Sequence, residues 1–362
     1  MAERPMENKL ASITVTLQTG VPIFLQGEPG TGKSRFVEEL GKALDRRVET
    51  LIGAQMLPED VGGILGPSGD YIMPDWFRRL KGEGAGILFI DELSCATPAL
   101  QAALLRLVAE RALHGEKLPN SVYIVAAANP ADQAAAGWEL APPMANRFCH
   151  MSWEVDPIAW TQGFVRGFEG RPNIPILPEN WSDLLPETRG LVAAYIRNNP
   201  AELQKFPNAT EQQGGPWPSA RTWDYAATVM AAHRSVRLDD SGAVSGLIGE
   251  GTALQFLSWR QKMDLPSPEA VLQNPELLPE REDQAFVTLY AVASFAISMR
   301  DQKIWQKAWS VMGVATRRKL VDIAAPAAMV LAEAKPKHAP APKEARDFLG
   351  LWQESGLLKA GV

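Results

Sequence analysis

The stretch Gly27-Glu28-Pro29-Gly30-Thr31-Gly32-Lys33-Ser34 constrains this chain more than any other. It follows Val21 to Leu25, an apolar run that reads as a strand. It precedes Arg35 to Leu44, where Phe36, Val37, Leu40 and Leu44 recur at helical spacing. Glycines between a strand and a helix let the backbone curl until successive N–H groups point at one centre, and the helix adds the positive end of its dipole. Such a loop cradles phosphate oxygens. In the GxxxxGK[ST] pattern, Lys33 reaches the β- and γ-phosphates, and Ser34 offers a hydroxyl to Mg²⁺, a hard cation that prefers oxygen ligands. ATP with Mg²⁺ is therefore the expected ligand of residues 27–34.

The rest of the N-terminal half alternates strand-like and helical patterns, the mark of a parallel sheet with crossover helices. Val48 to Ile52, Ile87 to Ile90, Val122 to Ala126 and Cys149 to Val155 read as further strands, and continuous apolar runs suit a sheet covered on both faces. Thr97-Pro98 reads as an N-cap with proline at the first helical position, leading a helix that carries Leu100, Leu104, Leu107 and Val108. Gly62 to Tyr71 and Leu113 to Asn120 are turn-rich and predict two hairpin inserts. The run Ile87 to Ile90 ends in Asp91-Glu92, where a parallel sheet presents its ligand edge. There Asp91 would hold Mg²⁺, mostly through water, and Glu92 would orient and deprotonate an attacking water. Ser34 and Asp91 are thus the expected metal ligands.

From Asp156 onward, β-branched runs give way to amphipathic segments such as Thr222 to His233, Gly251 to Arg260 and Asp283 to Met299. The expected organisation is a nucleotide-binding domain over 1–155, an all-helical lid over 156–334, a linker over 335–343 and a C-terminal helix over 344–362 bearing Phe348, Leu349 and Trp352. Arg171 to Pro178 and Phe206 to Pro218 are rich in loop-forming residues. Trp223, Trp259, Trp305 and Trp309 fall at helical spacing and read as core.

Beyond the phosphate loop, the residues resemble the MoxR branch of the AAA+ ATPases, close to the dynein-related group. The resemblance is carried by Leu57-Pro58-Glu59-Asp60-Val61-Gly62-Gly63, by Asp91-Glu92-Leu93 with Thr97-Pro98-Ala99-Leu100-Gln101, by Ala127-Ala128-Asn129-Pro130, and by Leu140 to Phe148. It implies an α/β P-loop NTPase core of the AAA+ type with a smaller all-α lid. It also implies that Asn129 stands beside the γ-phosphate and the lytic water, and that Arg147 is an arginine finger offered to a neighbouring subunit. A guanidinium in that place stabilises charge developing on the transferred phosphoryl group. Arg111 is a second candidate for a contact across subunits. Trp217-Pro218-Ser219-Ala220-Arg221 resembles the sensor-2 motif, which makes Arg221 a γ-phosphate contact from the second domain. Asn146 stands where the family commonly has an acid, and Ser94-Cys95 where an Asn-Arg pair is frequent.

Composition narrows the function. A chain of 362 residues with 46% apolar and 22% charged residues supports a sizeable core. Its net charge of −6 argues against nucleic-acid binding by broad phosphate neutralisation. Cys95 and Cys149 lack paired spacing, and His114, His150, His233 and His338 form no metal-ligating cluster. The apolar stretch Ile323 to Ala332 is too short to span a bilayer, so a cytoplasmic protein is expected. The leading expectation, from the resemblance, is ATP-driven remodelling of a protein client by a homo-oligomeric, hexameric ring, with a von Willebrand factor A domain protein as a plausible partner. The alternatives are a nucleotide-gated scaffold with little turnover and, less favoured, a nucleic-acid motor.

Overall fold

The computed structural model describes residues 5–130, 137–167, 174–337 and 339–354. Strands β1 (Ile23–Gln26), β2 (Val48–Ile52), β3 (Ile64–Leu65), β4 (Tyr71–Ile72), β5 (Gly86–Asp91), β6 (Ala112–Leu113), β7 (Glu116–Lys117), β8 (Val122–Ala128) and β9 (Cys149–Ser152) follow in chain order. Five of them form one sheet in the order β2-β5-β8-β1-β9. Every pairing in it is parallel. The central strands β5 and β8 are apolar and buried almost throughout, whereas the edges β2 and β9 alternate buried with more exposed residues. Central strands lie under helices on both faces, and edge strands do not. The hairpin inserts form as expected, from β3 with β4 and from β6 with β7.

Contacts divide the chain into two compact units. One comprises residues 1–177, 203–229 and 236–253, and the other comprises 178–202, 230–235 and 254–362. This partition differs from the expected single boundary near residue 155. The helix Ser241–Ile248 packs on the edge strand β9, and its Gly246 lies so close that a Cβ there would sit 2.0 Å from the His150 carbonyl oxygen. Helices late in the sequence thus complete the sheet-bearing unit, because an edge strand needs cover.

The first unit also contains a helix that sequence pattern missed, Pro5–Gln18. Its Ile13, Thr14, Val15, Thr16 and Leu17 are fully buried, so packing overrides the weak helix propensity of β-branched residues. The Gln18 side chain donates to the Pro175 carbonyl at 2.8 Å and accepts from the Leu177 amide at 3.1 Å, fixing part of the predicted loop. Residues 171–173 of that loop lie outside the described residues.

The second unit is helical. Its core joins Leu289 and Val292 of the helix Glu282–Ser298, Trp305 and Trp309 of Gln302–Arg317, and Ala327 and Leu331 of Val321–Glu333. The expected linker and C-terminal helix contribute to it. Ala339, Phe348 and Trp352 belong to the same core, and the Trp352 indole donates to the Ala325 carbonyl at 2.9 Å. Two large aromatic side chains after the Pro- and Ala-rich stretch thus anchor to the core of this unit. His338 and residues 355–362 lie outside the described residues.

Candidate functional site

Register places the chemistry. Gln26 pairs with Ala128 and Ile52 with Asp91, so β1, β8 and β5 all deliver their carboxyl ends to one edge of the sheet. Because β8 lies between β1 and β5, the residue following it, Asn129, stands between the glycine loop and the acid pair.

The loop is held from both sides. The Gly27 amide donates to the Ala128 carbonyl at 3.2 Å. A Cβ on Gly27 would lie 2.1 Å from the Trp153 carbonyl oxygen, so only glycine fits. Gly30 and Gly32 take φ of 75° and 85°, the left-handed region. Thr31 donates its hydroxyl to the Glu28 carbonyl at 2.6 Å, and the Trp153 indole donates to the Thr31 carbonyl at 3.0 Å while its ring packs on Phe36 at 4.7 Å. Helix Lys33–Ala43 then begins with no side-chain cap at Gly32, which leaves first-turn amides open to an anion.

Lys33 is buried and uses all three of its N–H donors. Its ammonium donates to the Gly27 carbonyl at 2.6 Å, to the Glu28 carbonyl at 2.8 Å and to Asn129 Oδ1 at 2.9 Å. Burial pulls its pKa below the usual lysine range, and the nearby Asp91 carboxylate opposes that shift. The next residue, Ser34, donates its hydroxyl to Asp91 Oδ2 at 2.7 Å, while Asp91 Oδ1 accepts from the Glu92 amide at 2.9 Å. Lys33, Ser34, Asp91 and Asn129 therefore converge, with Glu92 directly after Asp91. A hydroxyl and a carboxylate oxygen in hydrogen-bond contact are a donor set suited to Mg²⁺, which takes one or two protein oxygens and completes its shell with water and phosphate. Among the described residues the Glu92 side chain makes no hydrogen bond or ion pair.

A second group is assembled elsewhere in the same unit. Arg147 follows the short helix Pro142–Ala145, and Arg221 lies exposed in the first turn of the helix Ala220–Ser235. Burial, and then the positive charge of Arg221, lower the Arg147 pKa, while Tyr225 and Glu110 act in the opposite sense. Arg147 donates to its own turn at the Pro143 carbonyl, and among the described residues its buried Nε has no hydrogen-bond partner. Among the described residues no hydrogen bond joins Arg147 or Arg221 to Lys33, Ser34, Asp91, Glu92 or Asn129. The sequence placed Arg221 in the helical domain; the structure places it in the sheet-bearing unit, beside Arg147. Arg111 is a correction. Its guanidinium is spent inside the chain on the carbonyls of Gly20 at 2.6 Å, Asn120 at 3.2 Å and Val122, so it braces the base of the β6–β7 hairpin.

Sequence reasoning missed three supporting residues. Trp153 was read only as part of a strand. Ser219 and Thr222 carry a readable signal, a Ser-x-x-Thr pair at a helix start, in which the Ser219 amide donates to Thr222 Oγ1 at 2.8 Å and the Thr222 amide donates to Ser219 Oγ at 3.2 Å.

Parallel strand order, glycine loop and acid pair together define a P-loop nucleotide-binding protein. Residues 22–148 match the AAA domain of the dynein-related subfamily, so the sheet-bearing stretch carries an AAA domain. It is 32% identical over 111 residues to the nitric oxide reductase transcription regulator NorR2 of Cupriavidus necator, a match covering 27% of this chain and 20% of that protein. The chain thus spans about a fifth of the length of this curated relative. A crystal structure from Cytophaga hutchinsonii, of a protein whose assignment as an ATPase is itself provisional, aligns with a TM-score of 0.48 and 17% identity over 72% of this chain and 89% of that one.

Proposed function

We propose that this protein hydrolyses ATP with Mg²⁺ in a ring of identical subunits and, in the manner of MoxR-type ATPases, uses the cycle to remodel a protein client. One observation carries the reading: Ser34 hydroxyl on Asp91, and Lys33 on Asn129, bring the four groups that P-loop hydrolysis needs to one sheet edge. The Lys33 ammonium, bonded to the carbonyls of Gly27 and Glu28, lies within the loop whose pattern presents it to β- and γ-phosphate oxygens. Ser34 and Asp91 would hold Mg²⁺, which when bound neutralises charge on those oxygens. Glu92, whose side chain has no hydrogen-bond or ion-pair partner among the described residues, takes the proton of the attacking water, and the Asn129 amide positions that water.

The arginine pair supports action in trans. Two neighbouring guanidiniums that form no ion pair and no hydrogen bond to the chain's own cradle among the described residues suit the phosphates of a neighbouring copy. The hairpins suit the client. Ile64 and Leu65 on β3 and Ile72 on β4 are more than half exposed. His114 stacks on Tyr71 with ring centroids 3.4 Å apart and hydrogen-bonds the Gly62 carbonyl at 2.7 Å, tying the two inserts into one projection. A protein with a von Willebrand factor A domain is the client class to test first.

The test is ATP titration by calorimetry with Mg²⁺, followed by turnover against protein concentration. Specific turnover should rise with concentration, and Glu92→Gln should bind ATP yet lose turnover by on the order of 100-fold. No heat on titration, or full turnover in that variant, would reject the proposal.

A further inference from the structure

We infer that Asn146 is a positioning residue that fixes Arg147 and Arg221 as one anion-binding pair, by fastening the turn that carries the first to the helix that carries the second. The inference rests on the hydrolysis reading above and deepens it, naming what aims both arginines at one phosphate chain.

The geometry is direct. Asn146 is 3% exposed, its Nδ2 donates to the Trp217 carbonyl at 3.0 Å, and its Oδ1 accepts from the Ser219 hydroxyl at 2.7 Å. Those partners precede Arg221 closely, and Ser219 with Thr222 caps the helix reciprocally, so the start of the helix is rigid. On the other side, the Asn146 amide donates to the Pro142 carbonyl at 3.1 Å and the Arg147 amide to the Met144 carbonyl at 3.0 Å, while Met144, Ala145 and Phe148 are buried. One side-chain amide thus stands between two well-anchored pieces.

Physical chemistry explains why an anchor is needed. Like charges repel, and neither arginine is ion-paired among the described residues. Arg221 sits in a first helical turn, where the backbone dipole opposes a cation. Tyr225 and Glu110 offset part of that repulsion, and a restraint from outside the pair holds the two backbones in place. An amide serves because it donates on one face and accepts on the other.

The experiment uses mixed full-length subunits. Lys33→Ala chains lend arginines but cannot bind the nucleotide productively; Arg147→Ala chains lend a cradle. The parent mixture should turn over ATP, and an inactive parent mixture rejects the underlying trans reading. With that mixture active, adding Asn146→Ala to the Lys33→Ala chain should lower kcat by about 10- to 100-fold, the scale of a misplaced catalytic group. The KM for ATP, set by the other chain's cradle, should move far less. The same substitution in the Arg147→Ala chain should cost at least about 10-fold less than in the lending chain. Equal losses in both placements mean a general structural role and overturn the inference, as does no loss in the lending chain. If Asn146→Ala subunits fail to fold, Ser219→Ala, which removes the bond to Asn146 Oδ1 from the helix side, carries the same expectation.

Discussion

Glu92 is held in a conformation it would not choose. Its backbone lies at φ 53°, ψ 40°, left-handed space that costs a residue with a Cβ roughly 1–2 kcal/mol. Neighbours enforce it: the Gly53 amide donates to the Asp91 carbonyl and the Cys95 amide to the Glu92 carbonyl, each at 2.8 Å. A Cβ on Gly53 would sit 2.6 Å from the Glu92 carbonyl oxygen, so the adjoining chain cannot relax toward it. Replacing Glu92 by glycine removes the strain, and the greater freedom of glycine in the unfolded chain takes back about 0.5–1 kcal/mol. Glu92→Gly should therefore be more stable than Glu92→Ala by about 0.5–1 kcal/mol, although glycine loses a side chain. Urea midpoints read by amide exchange in Gly86–Asp91 would follow the sheet-bearing unit alone. A glycine variant no more stable than the alanine variant would refute the strain argument. Both should lack turnover, since strain kept at a carboxylate that has no partner among the described residues points to chemistry rather than packing.

Gly27→Ala should abolish ATP binding in calorimetry and destabilise the fold by about 1–3 kcal/mol, because the new methyl meets the Trp153 carbonyl. Chelation of Mg²⁺ should stop hydrolysis reversibly, with Ser34→Ala raising the Mg²⁺ concentration needed for half-maximal rate; rates indifferent to EDTA would remove Ser34 and Asp91 from the metal role. Burial pushes the His150 pKa down to about 4 from 6.5, and its ring meets Phe24 edge-on at 5.3 Å. The unfolded chain then binds the proton more readily, so stability is full above pH 6.5 and falls as pH drops toward 4. For a partly exposed ring this amounts to about 1–2 kcal/mol, and His150→Gln should flatten the difference between urea midpoints at neutral and mildly acidic pH.

The sequence alone determined the local chemistry. Gly27 to Ser34, Asp91-Glu92 and the Thr97-Pro98 cap are contiguous motifs whose meaning depends on a few neighbouring dihedrals, so they were legible without a fold. The Thr97 hydroxyl does accept from the Leu100 amide at 3.3 Å. Tertiary structure decided which distant residues complete those motifs. Trp153 walls the glycine loop, Gly20 and Val122 absorb Arg111, and Asn146 reaches Trp217 across a separation of 71 residues. It also made a helix of Ile13-Thr14-Val15-Thr16 and drew Phe348 and Trp352 into a core. Propensity and spacing act over one or two turns of chain, whereas burial and buried hydrogen bonds are satisfied by whatever the folded path brings near.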